Sequence, residues 1–442
     1  MAPAAAQPVI ASIFLPVAHS GPPEPASPLG IQLSELRFRD PALLADARAA
    51  GVAWWRTFMF WDEVEPVRTE PPTYDFSHYD ALLGNARRLG IEIVAEIQGN
   101  PRWAAPYPGG PVDDLEALAE FMAAAVERYD GDGWRDAPDR PVVRHWEMYN
   151  EPDNRSTALA AQGRGWGFWG DRGAEYARML QRVTPVIKLA DPNAVVVFGG
   201  VAWEEVASEG NPFDMGFTDD VLAAGGGRFF DVYNFHYYPL FASAWARPGL
   251  VDVAGKVAAA REKLAAHGLD KPIFVTEAGS WSGAEPPYPP ATPRAQARYV
   301  PQLYARAMAA GVAMVVWFQY DDVRGVRDPD RGLVDYDLRP KPARRAFLEA
   351  SRRLAGGERE RPSRQPGAAG EVYWFRRRGQ RVGVAWTDGP IGRLRVAAAS
   401  VERVHYLGDS LTLRDADDGR LDGVVEVPYG ADPVYIITAS AP

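Results

Sequence analysis

The chain has 442 residues, of which 47% are hydrophobic and 24% are charged, and its formal net charge is −10. This length allows one large domain and a smaller one. The negative charge and the lack of a sustained Lys/Arg run argue against a nucleic-acid or anionic-membrane partner, and the absence of cysteine excludes disulfides and thiolate chemistry.

The N-terminal segment, residues 1–28, begins MAPAAAQPVIASIFLPVAHSG and has no Lys or Arg. A secretory leader needs a positively charged region, which this segment lacks. We therefore expect an Ala/Pro-rich tail and one strand, which packs on the β-rich domain predicted for the C-terminal residues. The compartment stays open: secreted or periplasmic if a leader was removed earlier, and cytoplasmic otherwise. No apolar run is long enough to span a bilayer, so no membrane insertion is expected.

Residues 29–356 alternate between short β-rich segments and amphipathic helical ones, which is typical of a parallel sheet wrapped by helices. Strands are predicted at 29–36, 54–61, 91–99, 142–151, 194–202, 231–239, 272–280 and 313–322. Helical patterns lie between them at 41–51, 78–90, 115–129, 173–190, 256–268, 294–311 and 341–357. Eight units favour a (β/α)8 TIM barrel, and no GxGxxG or P-loop turn supports a nucleotide-binding fold.

The C-terminal region changes its period. The charged, Pro/Gly-rich stretch ERERPSRQPGAAG follows the last helix and predicts the domain boundary. Six short strands with turn signals follow it, so residues 366–442 are predicted to form an antiparallel β-sandwich. We expect this domain to be structural support first, and a sugar-binding or oligomer-forming module second.

Two glutamates stand at the ends of predicted barrel strands. The fourth strand ends in Asn150-Glu151-Pro152, and the seventh is apolar up to Thr276 and then reaches Glu277. Strand ends line the active site of such barrels, and proline cannot continue a ladder. Paired carboxylates there suit glycosidic-bond cleavage, in which one protonates the leaving oxygen and the other attacks the anomeric carbon.

The residues around these glutamates suggest how the two roles divide. A nucleophile must stay ionised, and Arg56 with His236 or Tyr238 would supply positive charge and donors to it. An acid must stay protonated, so Glu151 is expected in an apolar wall beside Tyr149 or Trp166. His236 alone reads equally well as a buried core histidine. The histidines show no metal-ligand spacing, so neither a metal nor a cofactor is expected.

The segments WEMYNEPDN, PIFVTEAGSW, FHYYP, WWRTFMFWDEVEP and VRDPDRGLVDYDLRPKPA together resemble clan A of the retaining glycoside hydrolases, and most closely family 39. That family includes β-xylosidases, α-L-iduronidases and bacterial endoglycosidases that act on exopolysaccharides. The resemblance implies that Glu151 is the acid/base, Glu277 the nucleophile and Asn150 a partner of the sugar 2-hydroxyl. It also places His236 in the site.

Tryptophans at strand ends are candidate sugar platforms because aromatic faces hold apolar ring surfaces. The resemblance points to Trp317 as the floor of the site, and Trp103 and Trp281 lie on strand-end loops.

The two glutamates and the resemblance together predict a retaining glycosidase that cleaves O-glycosidic bonds of a poly- or oligosaccharide through a covalent glycosyl-enzyme intermediate. An exo-acting β-xylosidase-like enzyme is an alternative, and a non-catalytic carbohydrate-binding barrel is the other class. The Ala-, Arg-, Gly- and Pro-rich composition suggests a bacterial source. The sugar, the linkage and the oligomeric state stay open.

Overall fold

The computed structural model describes residues 27–155, 168–205, 212–284, 289–324, 330–365 and 368–439. The strand predicted within residues 1–28 and the predicted neighbour Trp166 lie outside these ranges. None of the helices in them combines the length and apolar character needed to cross a membrane.

A TIM barrel forms the larger domain, as predicted. Its strands are β1 (Leu29–Gln32), β2 (Trp54–Phe60), β3 (Glu92–Gln98), β4 (His145–Met148), β5 (Val195–Val197), β6 (Tyr233–Tyr237), β7 (Ile273–Ala278) and β8 (Met314–Phe318). They pair in parallel in the order β5-β4-β3-β2-β1-β8-β7-β6. Parallel bridges from Val197 to Val232 and from Val201 to Phe235 join β5 to β6 and close the barrel.

Helices surround this barrel. They are α1 (Pro41–Ala49), α2 (Trp61–Val64), α3 (Ser77–Leu89), α4 (Leu115–Arg128), α5 (Gly173–Ala190), α6 (Phe217–Ala223), α7 (Ala242–Trp245), α8 (Val253–Ala266), α9 (Pro293–Ala310) and α10 (Pro342–Leu354). Capping fixes several ends: the Asp40 carboxylate accepts the first amides of α1, and Gly90 and Gly311 end α3 and α9 in the left-handed conformation.

The C-terminal domain is an antiparallel β-sandwich. Its strands are β9 (Glu358–Arg364), β10 (Glu371–Arg377), β11 (Gln380–Trp386), β12 (Gly392–Ala397), β13 (Ser400–His405), β14 (Ser410–Arg414), β15 (Val424–Tyr429) and β16 (Val434–Ala439). One sheet has the order β14-β13-β16-β11-β10-β9, and β12 pairs with β15 in a second sheet. Val372, Ile436, Val396 and Val427 from the two sheets meet in one buried cluster.

The predicted link does not stay irregular. Residues Glu358–Arg364 form the edge strand β9, which pairs with β10 and belongs to the C-terminal sheet. Charged residues are common on edge strands because they discourage pairing with another chain. Because this strand is mostly charged, its sequence resembles a linker and the strand was not predicted. The first sheet therefore starts at residue 358, earlier than the predicted residue 366.

Ion pairs tie the two domains together. Arg306 of α9 donates two hydrogen bonds to Glu371 of β10, at 3.0 and 2.6 Å. Arg298, also in α9, donates to Asp432 at 2.6 Å. Both arginines lie on the barrel helix that faces the sandwich, so the sandwich packs against the outside of the barrel.

Candidate active site

The barrel interior is layered. Near the amino ends of the strands an apolar layer contains Trp54, Val94, Phe274, Met314 and Val316. Side chains that are two positions further along a strand point to the same interior, one layer higher. That next layer is polar, and strand-end residues above it form the mouth of the barrel.

Arg56 is the centre of the polar layer. It is two positions after Trp54 and only 1% exposed. Its Nε and Nη2 donate to the two oxygens of Glu147 at 2.8 and 2.9 Å. Nη1 donates to Gln32 at 2.6 Å and to Glu277 at 2.8 Å. The guanidinium thus links four barrel strands, β1, β2, β4 and β7.

Glu96 is a second carboxyl beside this guanidinium, with Oε2 at 3.1 Å from Nη2. It is fully buried, and burial raises the pKa of Glu96 to about 8 against the opposing charge of Arg56. Burial thus favours the neutral form of Glu96, while the nearby guanidinium of Arg56 opposes that shift.

A bulge in β7 directs Glu277 into the barrel. The register of β7 shifts between Val275 and Ala278, so Thr276 and Glu277 both reach interior partners. Thr276 donates to Glu147 at 3.1 Å. Glu277 accepts from Arg56 at 2.8 Å and from the Tyr238 hydroxyl at 3.0 Å. Its carboxylate is held from both sides, and its side chain keeps 10% exposure toward the mouth.

Glu151 is presented by a break at the end of β4. The strand stops at Met148, earlier than predicted, because Tyr149 and Glu151 adopt left-handed φ angles of 68° and 40°. The Glu151 amide then donates to the Gly200 carbonyl at 3.0 Å. The Glu151 side chain is 22% exposed. Burial raises the pKa of Glu151 to about 7, although the positive charges of Arg56, Arg331 and Lys256 act to lower it. Near neutral pH Glu151 has a proton available to donate.

His236 lies between the two glutamates. Its Nδ1 is 3.1 Å from Glu151 Oε1 and 3.6 Å from Glu277 Oε2. Burial lowers the pKa of His236 to about 4, so the imidazole is neutral at neutral pH. Gly200 makes room for it, since a Cβ there would lie 2.2 Å from His236 Nε2.

Glu151 and Glu277 are close together across this histidine. One carboxylate oxygen of each and a nitrogen of His236 all lie within 4.8 Å of one another. Glu151 can hold a proton near neutral pH, and Glu277 is paired with the buried Arg56. Such a pair is equipped for acid/base and nucleophilic chemistry on one substrate bond. Among the described residues, this trio and Asp130, Asp132 and Asp136 are the groups with ligand atoms close enough to hold a metal.

Asn150 completes the arrangement. Its Oδ1 accepts from Arg56 Nη2 at 2.9 Å, which fixes the amide orientation and leaves its Nδ2 group to face a ligand. The polar residues predicted for the site therefore lie together. Arg56 belongs to the buried polar layer, and the strand-end residues lie above it at the barrel mouth: Glu151, Glu277, Asn150, His236 and Tyr238.

The central cleft above these groups has a volume of about 390 Å³. Its aromatic walls are phenylalanines, and its polar walls are amides and carboxylates. The lining residues are Gln32, Ser34, Glu35, Leu36, Phe58, Gln98, Asn150, Phe168, Glu277, Phe318, Gln319 and Val323.

The three predicted tryptophan platforms do not line this cleft. Trp317 has no exposed surface and its indole donates to the Arg331 carbonyl, so the expectation of a Trp317 floor does not fit the structure. The next residue, Phe318, lines the cleft instead, because successive strand side chains face opposite sides. Trp281 is 5% exposed and donates to the Pro289 carbonyl, so it offers little surface.

Trp103 lines a second cleft at the same end of the barrel. Its indole donates to the Glu65 carbonyl at 3.1 Å, and the Arg68 guanidinium stands 5.5 Å from the ring centre. We call this the Trp103 cleft; it has a volume of about 750 Å³. Its lining residues are Asp62, Pro66, Val67, Arg68, Asn100, Pro101, Arg102, Trp103 and Pro108.

Several site residues were not singled out from the sequence. Asp153 is fully buried and accepts the amides of Ala202 and Trp203 at 3.1 and 2.7 Å, which fixes the segment after β5. Gln32 and Gln98 reach the cleft from β1 and β3. The alternation of side chains along a strand could have identified both glutamines. Gln32 is two residues after Gly30 and Gln98 is two residues after Glu96, so each lies on the interior face of its strand.

Similarity to known proteins extends over most of the chain. The family model described as cellulase (glycosyl hydrolase family 5) matches residues 34–321, more than half of the sequence. No curated protein sequence matches this chain. In fold the chain is similar to a family 39 glycoside hydrolase from the gut symbiont Bacteroides cellulosilyticus, with a TM-score of 0.68 and 19% identity, over 94% of this chain and 81% of that one.

Two further solved structures share the fold. One is a family 30 endoxylanase from Clostridium papyrosolvens, with a TM-score of 0.61 and 12% identity, over 96% of this chain and 98% of that one. The other is a glucosidase from Croceicoccus marinus, with a TM-score of 0.61 and 16% identity, over 95% of this chain and 98% of that one. At these identities the likeness concerns the architecture, which includes the accessory domain as well as the barrel.

Proposed function

Because the chain belongs to the cellulase family, glycosyl hydrolase family 5, and is a clan A glycosidase, we propose that it hydrolyses an O-glycosidic bond with retention, through a covalent glycosyl-enzyme intermediate. The predicted clan is confirmed, and the family 39 resemblance is matched by the fold of the Bacteroides enzyme. The substrate is a poly- or oligosaccharide. The observation that carries the proposal is the close approach of Glu151 and Glu277.

In the first displacement, a Glu277 carboxylate oxygen attacks the anomeric carbon and the bond to the leaving oxygen breaks. Glu151 transfers its proton to that oxygen, so the aglycone leaves as a neutral alcohol. Arg56 and the Tyr238 hydroxyl, at 2.8 and 3.0 Å, hold the attacking carboxylate in place. Asn150, fixed by Arg56, presents its amide to the sugar 2-hydroxyl.

In the second displacement, the deprotonated Glu151 takes a proton from water. The water oxygen attacks the anomeric carbon, the bond to Glu277 breaks, and both carboxyls return to their initial states. Two inversions at one carbon give net retention.

The spacing of the carboxylates supports retention over inversion. Retaining pairs are about 5 to 5.5 Å apart, whereas inverting pairs are about 6.5 to 9.5 Å apart because a water stands between the sugar and the base. Here an oxygen of each glutamate is within 4.8 Å of the other, which favours direct attack by Glu277.

The anomeric configuration of the first product tests this proposal. Proton NMR of the earliest hydrolysis product, recorded before mutarotation, is expected to show the configuration of the substrate. The opposite anomer would contradict the double displacement, and binding of oligosaccharides without any hydrolysis would instead support a non-catalytic carbohydrate-binding barrel.

We further propose that the enzyme acts within a chain and that the Trp103 cleft holds a distal sugar. Gln98 lines the central cleft and Asn100, two positions later, lines the Trp103 cleft, so the two clefts share the end of β3 as a wall. A partly exposed indole beside an arginine suits stacking of a sugar ring. An exo-acting enzyme would need only the central cleft.

Replacing Trp103 with alanine is expected to raise KM for a long oligosaccharide about tenfold, equivalent to ~1.4 kcal/mol. KM for an aryl monosaccharide should not change, because that substrate fills the central cleft alone. Trp134→Ala is the matched control, since Trp134 is 65% exposed on the loop before β4, at the other end of the barrel. Unchanged KM for the oligosaccharide would favour exo action.

A further inference from the structure

A short acidic loop lies at the end of the barrel opposite the central cleft. It follows α4 and leads toward β4, and its sequence from Asp130 is DGDGWRD. Loops that enter barrel strands lie at the amino ends of the strands, away from the substrate. This loop is therefore separate from the proposed chemistry.

Three carboxylates of the loop converge. Asp130, Asp132 and Asp136 each place an oxygen within 4.8 Å of the others. Calcium binds oxygen ligands at about 2.3 to 2.6 Å, so two ligands on opposite sides of one Ca²⁺ are about 4.6 to 5.2 Å apart. The three oxygens therefore fit around a single ion of this size.

Two buried carboxylate oxygens at this place have no hydrogen-bond partner among the described residues. They are Asp136 Oδ1 and Glu127 Oε1. The Asp136 side chain is only 6% exposed. Asp136 Oδ2 accepts the Gly133 amide at 2.9 Å, whereas Oδ1 of the same carboxylate has no donor. A buried carboxylate oxygen without a donor is costly, and a bound cation would supply the missing partner.

The local charge is also one-sided. The carboxylates of Asp132, Glu127 and Asp136 all place negative charge near Asp130. The ion-pair partner of the cluster within the described residues is Arg140, whose Nε is 3.5 Å from Asp136 Oδ2. Arg135 is directed instead over the ring of Trp134, with its guanidinium carbon 5.6 Å from the ring centre.

We propose that Asp130, Asp132 and Asp136, with Glu127 beside them, bind a calcium ion. Ca²⁺ takes carboxylate oxygens in a flexible shell of six to eight ligands, completed by backbone carbonyls and water, whereas Mg²⁺ demands near-ideal octahedral geometry. The cluster has no imidazole or thiolate to favour a transition metal.

The ion would fasten the loop that leads into β4. Backbone bonds from Ala137 to the Arg128 carbonyl and from Val143 to the Tyr129 carbonyl already close this loop, at 3.0 and 2.9 Å. Calcium therefore stabilises the strand that presents Glu151 without touching the substrate.

The test uses the full chain, stripped with EDTA and then dialysed. Isothermal titration with CaCl₂ is expected to show one site, and Tb³⁺ should give luminescence sensitised by Trp134 and quenched by added Ca²⁺. Calcium should raise Tm relative to EDTA, because a ligand that binds only the folded state stabilises it. The value of kcat/KM at a temperature well below Tm should stay the same.

The variants are Asp132→Asn and Asp136→Asn, which keep the shape of the side chain. Each is expected to weaken Ca²⁺ binding about tenfold or more and to remove the calcium-dependent rise in Tm. Asp139→Asn is the matched control, because Asp139 lies in the same loop but pairs with Arg88 at 2.5 Å. Absence of Ca²⁺ binding by the unaltered protein at about 1 mM, the weak end of protein calcium sites, would overturn the proposal. So would unchanged binding in both Asn variants.

Discussion

Glu277→Ala is expected to lower kcat/KM about 10⁵-fold on an aryl glycoside, comparable to deletion of a nucleophile in other hydrolases. Without this carboxylate the first displacement has no attacking group. The fold should survive, because Arg56 keeps its contacts to Glu147, Gln32 and Asn150. Initial rates and thermal unfolding measured on the same preparation check both parts.

Azide distinguishes loss of the nucleophile from general damage. In Glu277→Ala, azide should enter the vacated space and give a glycosyl azide of inverted configuration. The matched control is Glu92→Ala, which removes an exposed carboxylate at the amino end of β3 and should act like the parent enzyme. Hydrolysis by Glu277→Ala at the parent rate would show that another group attacks the sugar.

Glu151→Ala is expected to lower kcat about 10² to 10⁴-fold on substrates whose leaving group must be protonated, the usual worth of a general acid. With a dinitrophenyl leaving group the first displacement should be nearly unaffected, because that group departs as a stable anion. Here azide should give a product of retained configuration, since it replaces the water of the second step.

The pH profile gives a second readout for Glu151. A general acid works only while protonated, and burial raises the pKa of Glu151 to about 7. In the parent enzyme kcat/KM should therefore fall as pH rises through about 7, and in Glu151→Ala this alkaline decline should disappear. If the decline persists unchanged in Glu151→Ala, the acid is a different residue.

Much of the barrel was predictable because the spacing of apolar residues distinguishes each strand from each helix. The eight predicted strands all appear, since alternation and apolar runs decide them locally. Their ends were harder to place. Strand β4 stops before Asn150 because Tyr149 and Glu151 take left-handed angles that oppose the usual preference of their residue types, and the sequence gives no sign of this.

The site was predictable where position along a strand decides it. Glu151 and Glu277 stand at strand ends, and the structure places them together. The network under them depends on contacts between distant strands, so Arg56 appeared in the sequence as one partner of Glu277 and not as a link between four strands. The bulge in β7 likewise follows from packing against β8.

The aromatic platforms were mispredicted at Trp317 for a similar reason. Whether Trp317 or Phe318 faces the cleft depends on which side of β8 is interior, and a shift of one residue exchanges the two. The acidic loop was not predicted as a metal site, because the expectation that no metal binds rested on the spacing of the histidines, whereas Asp130, Asp132 and Asp136 lie in a connecting loop.

The most direct test of the central claim is to trap the glycosyl-enzyme. The protein is incubated with a 2-deoxy-2-fluoro glycoside of a sugar that it hydrolyses, carrying an activated leaving group. The fluorine slows both displacements, and the activated leaving group restores the first, so the intermediate accumulates. Intact mass spectrometry and peptide mapping are expected to find one glycosyl group on Glu277. Turnover without an adduct, or an adduct on Glu151, would contradict the assignment.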